Sequence, residues 1–504
     1  MKSTNDSILL DFTTQPLAII LIGASGDLAK KKTFPSLYQL YIRDLLPINF
    51  VLYGYGRSKL THEELRAKIM PYLNHGTDME KNSFLSNCYY QIGRNYRDNE
   101  AFCQMRMNLL GQGKQLNDHT VKRYNYLFYM ATPPNVFEDV TQTIAESFHD
   151  DLVSSSYSSI RFLYEKPFGK DLDSYTQLSS SLFRIGLKEE QIYRIDHYLG
   201  KRMIRAIPYI RFGASNENNN HWLESKWNNQ HISHVIIHMS EPFGAEERGY
   251  FDEYGIIRDV IQNHLLQIMS LIAMERPTSL EKAHHDDIRD AKCHLLKQIK
   301  PPSKDDCVLG QYEGYFFNGE KSHTPTYAAI KLWIENERWS GVPFYLIAGK
   351  ALDRRLVEVK IGFQNLDGSG NSTSRNESKS RTNAELLLQV QPLQTLQFSL
   401  NEEREGYTNK IVRSYSDAIG DGYCGDELND EYSTLILDSL KGDSSCFVRN
   451  DELHRAWEIF TPLLQEVPQI PIHGYKFGST GPKEVERLLS PYKQSEPGHF
   501  LSRL

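Results

Sequence analysis

The 504-residue chain is 40% hydrophobic and 24% charged, which fits a water-soluble protein of two large domains or three smaller ones. Its net charge of −7 argues against a nucleic-acid or anionic-membrane surface, so an anionic ligand needs a local cluster of cations. Six scattered cysteines without a Cys-x-x-Cys pair read as reduced thiols, not as a disulfide or zinc framework, and no apolar run is long enough to span a membrane.

Residues 1–15 carry acidic and polar side chains and read as a tail, not a secretory leader. Residues 17–23, Leu-Ala-Ile-Ile-Leu-Ile-Gly, form a continuous apolar run ending in glycine, the pattern of a buried parallel strand. The loop Gly23-Ala24-Ser25-Gly26-Asp27-Leu28-Ala29 sits where strand passes to helix, the place where glycines let backbone approach a pyrophosphate. It is not the usual G-x-G-x-x-G, and such a string also serves as a plain tight turn. A helix is expected to follow through about Leu46, with Lys30, Lys31 and Lys32 adding local positive charge, and then a second strand over residues 50–55. An NAD site commonly has an acid at the end of that strand, for the ribose hydroxyl. Here the chain reads Tyr55-Gly56-Arg57-Ser58-Lys59, and Arg57 can grip a 2′-phosphate bidentately, which points to NADP.

Strand–helix alternation continues at 126–130 with 136–148 and at 160–164 with 173–184, the rhythm of a doubly wound α/β sheet. Lys166, in Glu165-Lys166-Pro167-Phe168-Gly169, falls at the carboxyl end of that sheet, where ligands bind in open α/β folds. Residues 194–201 then read Arg-Ile-Asp-His-Tyr-Leu-Gly-Lys. Asp196 can orient a histidine from elsewhere, while His197, Tyr198 and Lys201 can hold a phosphate beside Gly200. The same string would also suit a charged loop whose histidine caps a helix. Beyond it the pattern changes to long alternating runs at 232–238, 328–334, 356–363 and 385–391, expected as a large, mostly antiparallel sheet. The division expected is therefore 16–196 and 197–492, with 366–382 a flexible Gly/Ser/Asn-rich excursion and 493–504 a tail. A strongly apolar helix is expected from about Gly255 to Met274. In an α-helix Asp259 and His264 stand about 140° apart and share no stripe. A histidine so placed also fits a satisfied core position.

Several of these stretches, in order, resemble glucose-6-phosphate dehydrogenase: Gly23–Ala29, Glu165–Gly169, Arg194–Lys201, Glu241-Pro242-Phe243-Gly244, Tyr250–Leu266, Gly349-Lys350-Ala351-Leu352 and Val390-Gln391-Pro392. The resemblance implies a Rossmann-like N-terminal domain, a β+α domain with a large antiparallel sheet, NADP as cofactor, glucose 6-phosphate as substrate and a homodimer or homotetramer. It gives His264 the role of general base with Asp196 as its carboxylate partner, and it gives the sugar phosphate to His197, Tyr198 and Lys201. Lys166, Glu241, Asp259, Lys350, Arg355 and Gln391 match other substrate-contacting positions, and Gly23–Ala29, Lys30, Arg57 and Lys166 match the cofactor site. No metal is implied.

The chain also departs from the family pattern. Glu247-Arg248-Gly249-Tyr250-Phe251 is one glycine short, Trp227-Asn228-Asn229 replaces Trp-Asn-Arg, and Ala131-Thr132-Pro133-Pro134 replaces Ala-Leu-Pro-Pro. A second, structural NADP held by many eukaryotic relatives needs basic residues where this chain has Ile347, Leu356, Gln389 and Thr480, so its loss is expected. The ending Ser502-Arg503-Leu504 is a variant of the Ser-Lys-Leu peroxisomal address, giving an expectation of peroxisome, cytoplasm or both. Two rivals stay open: a catalytically silent NADP-binding paralogue, and a dehydrogenase of broader hexose-6-phosphate specificity.

Overall fold

The computed structural model describes residues 16–114, 124–153, 160–213, 222–246, 249–280, 285–364, 382–404, 407–415, 428 and 430–489. The first sheet has six parallel strands: β1 (Leu17–Ile22), β2 (Phe50–Gly56), β3 (Cys88–Ile92), β4 (Asn125–Met130), β5 (Ile160–Tyr164) and β6 (Ile192–Arg194). Their order is β3-β2-β1-β4-β5-β6, so the chain reverses direction across the sheet between β1 and β4. All six residues of β1 are buried, because helices cover both faces of a parallel sheet and leave neither side polar. The expected helices at 136–148 and 173–184 are found as Phe137–Ser147 and Leu172–Arg184. Asp171 caps the latter by accepting from the Ser174 N–H at 2.8 Å. The helix after β1 stops at Tyr41, short of the expected Leu46, in a turn where Asp44 takes a positive φ of 55°. Pro47 forbids a continuation three residues later.

The second sheet runs in the order Tyr407–Tyr415, Thr395–Arg404, Thr382–Gln391, Leu356–Phe363, β7 (Ile232–Ser240), Phe344–Gly349, Tyr327–Ile334, Cys307–Tyr312 and Ile472–Tyr475. It is mostly antiparallel as expected, with two parallel pairs: β7 beside Phe344–Gly349, and Cys307–Tyr312 beside Ile472–Tyr475. The excursion expected at 366–382 falls almost wholly outside the described residues, as do both tails.

Two packing features position the site. The apolar helix expected from 255 to 274 runs through Ile257–Leu265 and Leu266–Ala273. Its buried C-terminal carbonyls are satisfied from outside: Trp227 Nε1 donates to Ile272 O, Trp339 Nε1 to Ala273 O, and Arg211 Nη1 to Leu271 O and Met274 O. The helix Glu431–Lys441, far along the chain, packs on the first sheet, where Leu435, Ile436 and Leu440 share a core with Leu17, Ile19 and Leu21. In this way C-terminal residues reach the turn that follows β6.

Candidate active site

The dinucleotide loop follows β1 directly. Gly23 has φ +82°, and a Cβ there would stand 2.5 Å from Ala131 O, so only glycine lets the β1 and β4 loops close on each other. Ser58 Oγ donates to Ser25 Oγ at 3.0 Å, joining the end of β2 to this loop. The exposed Arg57 guanidinium lies 5.3 Å over the Tyr96 ring, a flat, cationic face beside the loop. Of the three lysines, Lys30 and Lys31 pair with Asp27 at 2.9 and 3.1 Å. Lys32 instead lies 5.8 Å over the Tyr432 ring, toward the turn after β6.

His264 and Asp196 meet in that region. His264 Nδ1 lies 2.5 Å from Asp196 Oδ1, with both side chains buried. Burial holds His264 below its ordinary imidazole pKa against the opposing pull of Asp196. Burial alone would push the Asp196 carboxyl up, but His264 and Lys166 bring it below its usual value. The pair is therefore a neutral imidazole and a carboxylate. With Asp196 accepting the Nδ1 proton, the Nε2 lone pair is left for chemistry.

The expectation that Asp259 and His264 share no stripe does not hold. Residues 257–265 form a widened helix in which the Leu266 N–H reaches back to Ile261 O, five residues earlier. This brings Asp259 to the same side as His264, and each acts electrostatically on the other. Asp259 is the centre of an alternating chain of charge. Lys166 Nζ donates to Asp259 O at 2.7 Å and lies 3.4 Å from Oδ1, while Lys350 Nζ donates to Oδ2 at 2.9 Å and also to Glu241 Oε2. Although burial opposes ionisation, the two lysines hold Asp259 well below the usual carboxylate range. Four residues from four segments thus fix one another next to the imidazole.

On the other side of His264 lies the turn His197–Gly200. The His197 and Tyr198 rings stand 4.6 and 4.3 Å from that of His264, centroid to centroid. Burial first, with Lys166 and Lys201 nearby, keeps His197 well below its ordinary value. Lys201 is mostly buried beside it. Arg355, exposed just before the strand Leu356–Phe363, is close enough to act electrostatically on both Tyr198 and Lys201. Gln391 ends the neighbouring strand opposite Val357. The Tyr198 hydroxyl is turned to Met239 Sδ at 3.3 Å, a weak acceptor, and not toward the cations.

Three neighbours were not read from the sequence. Tyr432 lies parallel to the His197 ring at 5.9 Å, Glu431 pairs with Lys201, and Tyr129 donates to Glu165 at 2.5 Å. Burial pushes the Glu165 carboxyl up to about 7. None of the three carried a sequence signal, whereas Glu165, which accepts from Tyr129, stands in the motif before Lys166. Of the departures, Asn229 Nδ2 donates to Glu337 O and Ser340 O, Thr132 Oγ1 is buried without a hydrogen-bond partner among the described residues, and Glu247 and Arg248 lie outside the described residues.

Comparison with known proteins agrees with this geometry. The glucose-6-phosphate dehydrogenase NAD binding domain matches residues 20–206, and the glucose-6-phosphate dehydrogenase C-terminal domain matches 215–495. A glucose-6-phosphate 1-dehydrogenase of Dictyostelium discoideum is 42% identical over 97% of this chain and 95% of its own length. The cytoplasmic glucose-6-phosphate 1-dehydrogenase 6 of Arabidopsis thaliana is also 42% identical, over 96% of this chain and 94% of its own. A solved glucose-6-phosphate dehydrogenase in complex with glucose-6-phosphate superposes with a TM-score of 0.82 at 35% identity, covering 95% of this chain and 98% of that one. That of Mycobacterium avium gives 0.79 at 30% identity, with 94% and 97% covered. The chain belongs to the glucose-6-phosphate dehydrogenase family.

Proposed function

We infer that this protein is an NADP-dependent glucose-6-phosphate 1-dehydrogenase. It oxidises D-glucose 6-phosphate at C1 to 6-phospho-D-glucono-1,5-lactone, the first step of the oxidative pentose phosphate pathway. The observation that carries the reading is the buried His264–Asp196 pair, 2.5 Å apart, with a cationic turn on one side and the Asp259 charge chain on the other. NADP, when bound, accepts the hydride that leaves C1. His264 Nε2 takes the C1 hydroxyl proton, and Asp196 stabilises the imidazolium that forms. Lys201, His197 and the backbone of the turn at Tyr198 anchor the phosphate, so binding energy remote from C1 orients the reacting bond. Lys166, Asp259, Lys350 and Glu241 face the sugar as one rigid unit, with Arg355 and Gln391 at its edge.

The residues at the dinucleotide site fit NADP: Gly23–Ala29 and Lys30 offer a close backbone approach, and Arg57 offers an exposed fork to the 2′-phosphate. The second, structural NADP is lost in this reading. Ile347 is wholly buried between two strands, Leu356 is buried, and Gln389 and Thr480 are neutral. Residues 16–196 serve the cofactor and 197–492 the substrate, with self-association into dimers or tetramers through the large sheet.

No described helix is long and apolar enough to cross a membrane. Ser502-Arg503-Leu504 lies outside the described residues, and its reading as a peroxisomal address would fall if a reporter bearing it stayed diffuse in cells. The deciding experiment for the activity is absorbance of reduced nicotinamide after mixing protein, NADP and glucose 6-phosphate, repeated with other hexose 6-phosphates. Silence with NADP binding intact would favour the inactive paralogue, and equal rates on several sugars would favour the broader enzyme.

A further inference from the structure

Lys201, the cation given to the sugar phosphate, already has an anion beside it. Its Nζ lies 3.7 Å from Glu431 Oε1, and the two side chains are 11% and 21% exposed. The backbone that carries Glu431 is held in place. A Cβ at Gly200 would stand 2.5 Å from Glu431 O, so the two segments touch backbone to backbone. Asp430 caps the helix through the Ser433 N–H at 2.8 Å and accepts from Ser36 Oγ at 2.5 Å, tying the helix start to the dinucleotide domain. On the other side, Tyr432 is parallel to the His197 ring. A dianion arriving at Lys201 therefore meets the Glu431 carboxylate on a backbone that is not free to withdraw. Lys32 and Arg355 act on the same lysine from further off.

We propose that Glu431 is a specificity-determining residue that competes with the substrate's phosphate for Lys201 and so sets the affinity for anionic sugars. This rests on the reading of Lys201 and His197 as the phosphate site. Two charges of like sign a few ångströms apart, partly shielded from water, repel enough to cost substantial affinity, while the ion pair itself contributes little to stability. A phosphate therefore has to share Lys201 with this carboxylate or displace it.

The test is Glu431→Gln, which keeps shape and removes charge. The Michaelis constant for glucose 6-phosphate should fall about five- to twentyfold, with the change in KM and not in kcat. The inhibition constant of inorganic phosphate should fall by a similar factor, while oxidation of uncharged glucose should gain nothing. A KM that rises or stays level would overturn the proposal and make Glu431 a holder of Lys201. Should Glu431→Gln fail to fold, Glu431→Asp, which shortens the reach, should give an intermediate fall, and a rise would again refute it. If the protein proved to lack dehydrogenase activity, calorimetric titration of both forms with inorganic phosphate would still decide the point: tighter binding by the variant supports it, equal or weaker binding rejects it.

Discussion

Replacing Asp196 with asparagine probes the proposed chemistry most directly, because it removes one charge and leaves the contact geometry nearly intact. The asparagine oxygen can still accept the Nδ1 proton of His264, at the position where Asp196 Oδ1 now stands 2.5 Å away. What disappears is the attraction between carboxylate and imidazolium as the proton arrives at Nε2. With the charge centres about 4 Å apart and an effective dielectric constant near 20, that attraction is roughly 4 kcal/mol. At about 1.4 kcal/mol per decade, turnover should fall by roughly three orders of magnitude. A second readout separates this from mere misplacement. Asp196 raises the His264 pKa against the depressing effect of burial, so without it the imidazole becomes a weaker base. The acid limb of kcat/KM should therefore move to lower pH in Asp196→Asn, measured as NADPH formation across a pH series. His264→Asn should lose turnover by roughly two to four orders of magnitude and abolish that limb altogether. Near-normal turnover in Asp196→Asn, or an acid limb displaced to higher pH, would refute the assignment of the pair.

Three other outcomes follow. Arg57→Ala should raise the NADP Michaelis constant by about 10- to 100-fold, the worth of a charge-assisted phosphate contact of about 1.5–3 kcal/mol, while sparing NAD; equal loss for both cofactors would remove Arg57 from the 2′-phosphate. Burial lifts Glu165 to about 7 from an ordinary 4.5, so the folded chain keeps a proton that the unfolded chain gives up between those values. Stability is thus lost as pH rises from about 4.5 to 7, by up to roughly 3 kcal/mol, and Glu165→Gln should raise the melting temperature at pH 8 but not at pH 4.5; a gain independent of pH would contradict this. Calorimetry should find one NADP per subunit, abolished or weakened by Arg57→Ala, and a second site that survives this change would show that the structural cofactor is retained.

Much of the first sheet was legible because its strands are buried on both faces and read as unbroken apolar runs, as β1 does over Leu17–Ile22. The second sheet was legible through alternation, and the run at 356–363 fell on the strand Leu356–Phe363 without adjustment. Its two parallel pairings were not, since a strand's own pattern does not name its neighbour. The end of the first helix was overestimated because Ile42, Leu45 and Leu46 continue an apolar pattern that the backbone leaves at Tyr41. At the site, separate short motifs marked Lys166, Asp196 and His197, and the fold brings Lys166 close enough to act electrostatically on the other two. Glu431 and Tyr432 escaped notice because nothing in Asp430-Glu431-Tyr432 signals contact with a turn more than two hundred residues earlier. The orientation of the Tyr198 hydroxyl toward Met239 is likewise a product of packing that no local pattern encodes.

The relation of Asp259 to His264 shows why a correct helix assignment can still give a wrong site. Apolar spacing identifies a helix but not its pitch, and five residues of α-helix separate two side chains by about 140°. Where N–H groups bond five residues back, residue i+5 takes the place that i+4 has in an α-helix, about 40° from the first. The Ile257–Leu265 segment is wound in that way, and it is fixed at both ends. Ile256 N–H bonds to Pro325 O before it, and Trp227, Trp339 and Arg211 hold the carbonyls at the end of the helix Leu266–Ala273 that continues it. The widened turn is therefore locked between anchors that neighbouring elements supply. One helix consequently presents His264 toward Asp196 and Asp259 toward Lys166 and Lys350, so the base and the charged wall against which the sugar is held move as a single body. Wound as an α-helix between the same anchors, the segment would have to turn one of these two buried polar groups away from its partners, and an unpaired buried charge costs several kcal/mol. The unusual pitch is thus required by the charge pairing on both sides of it.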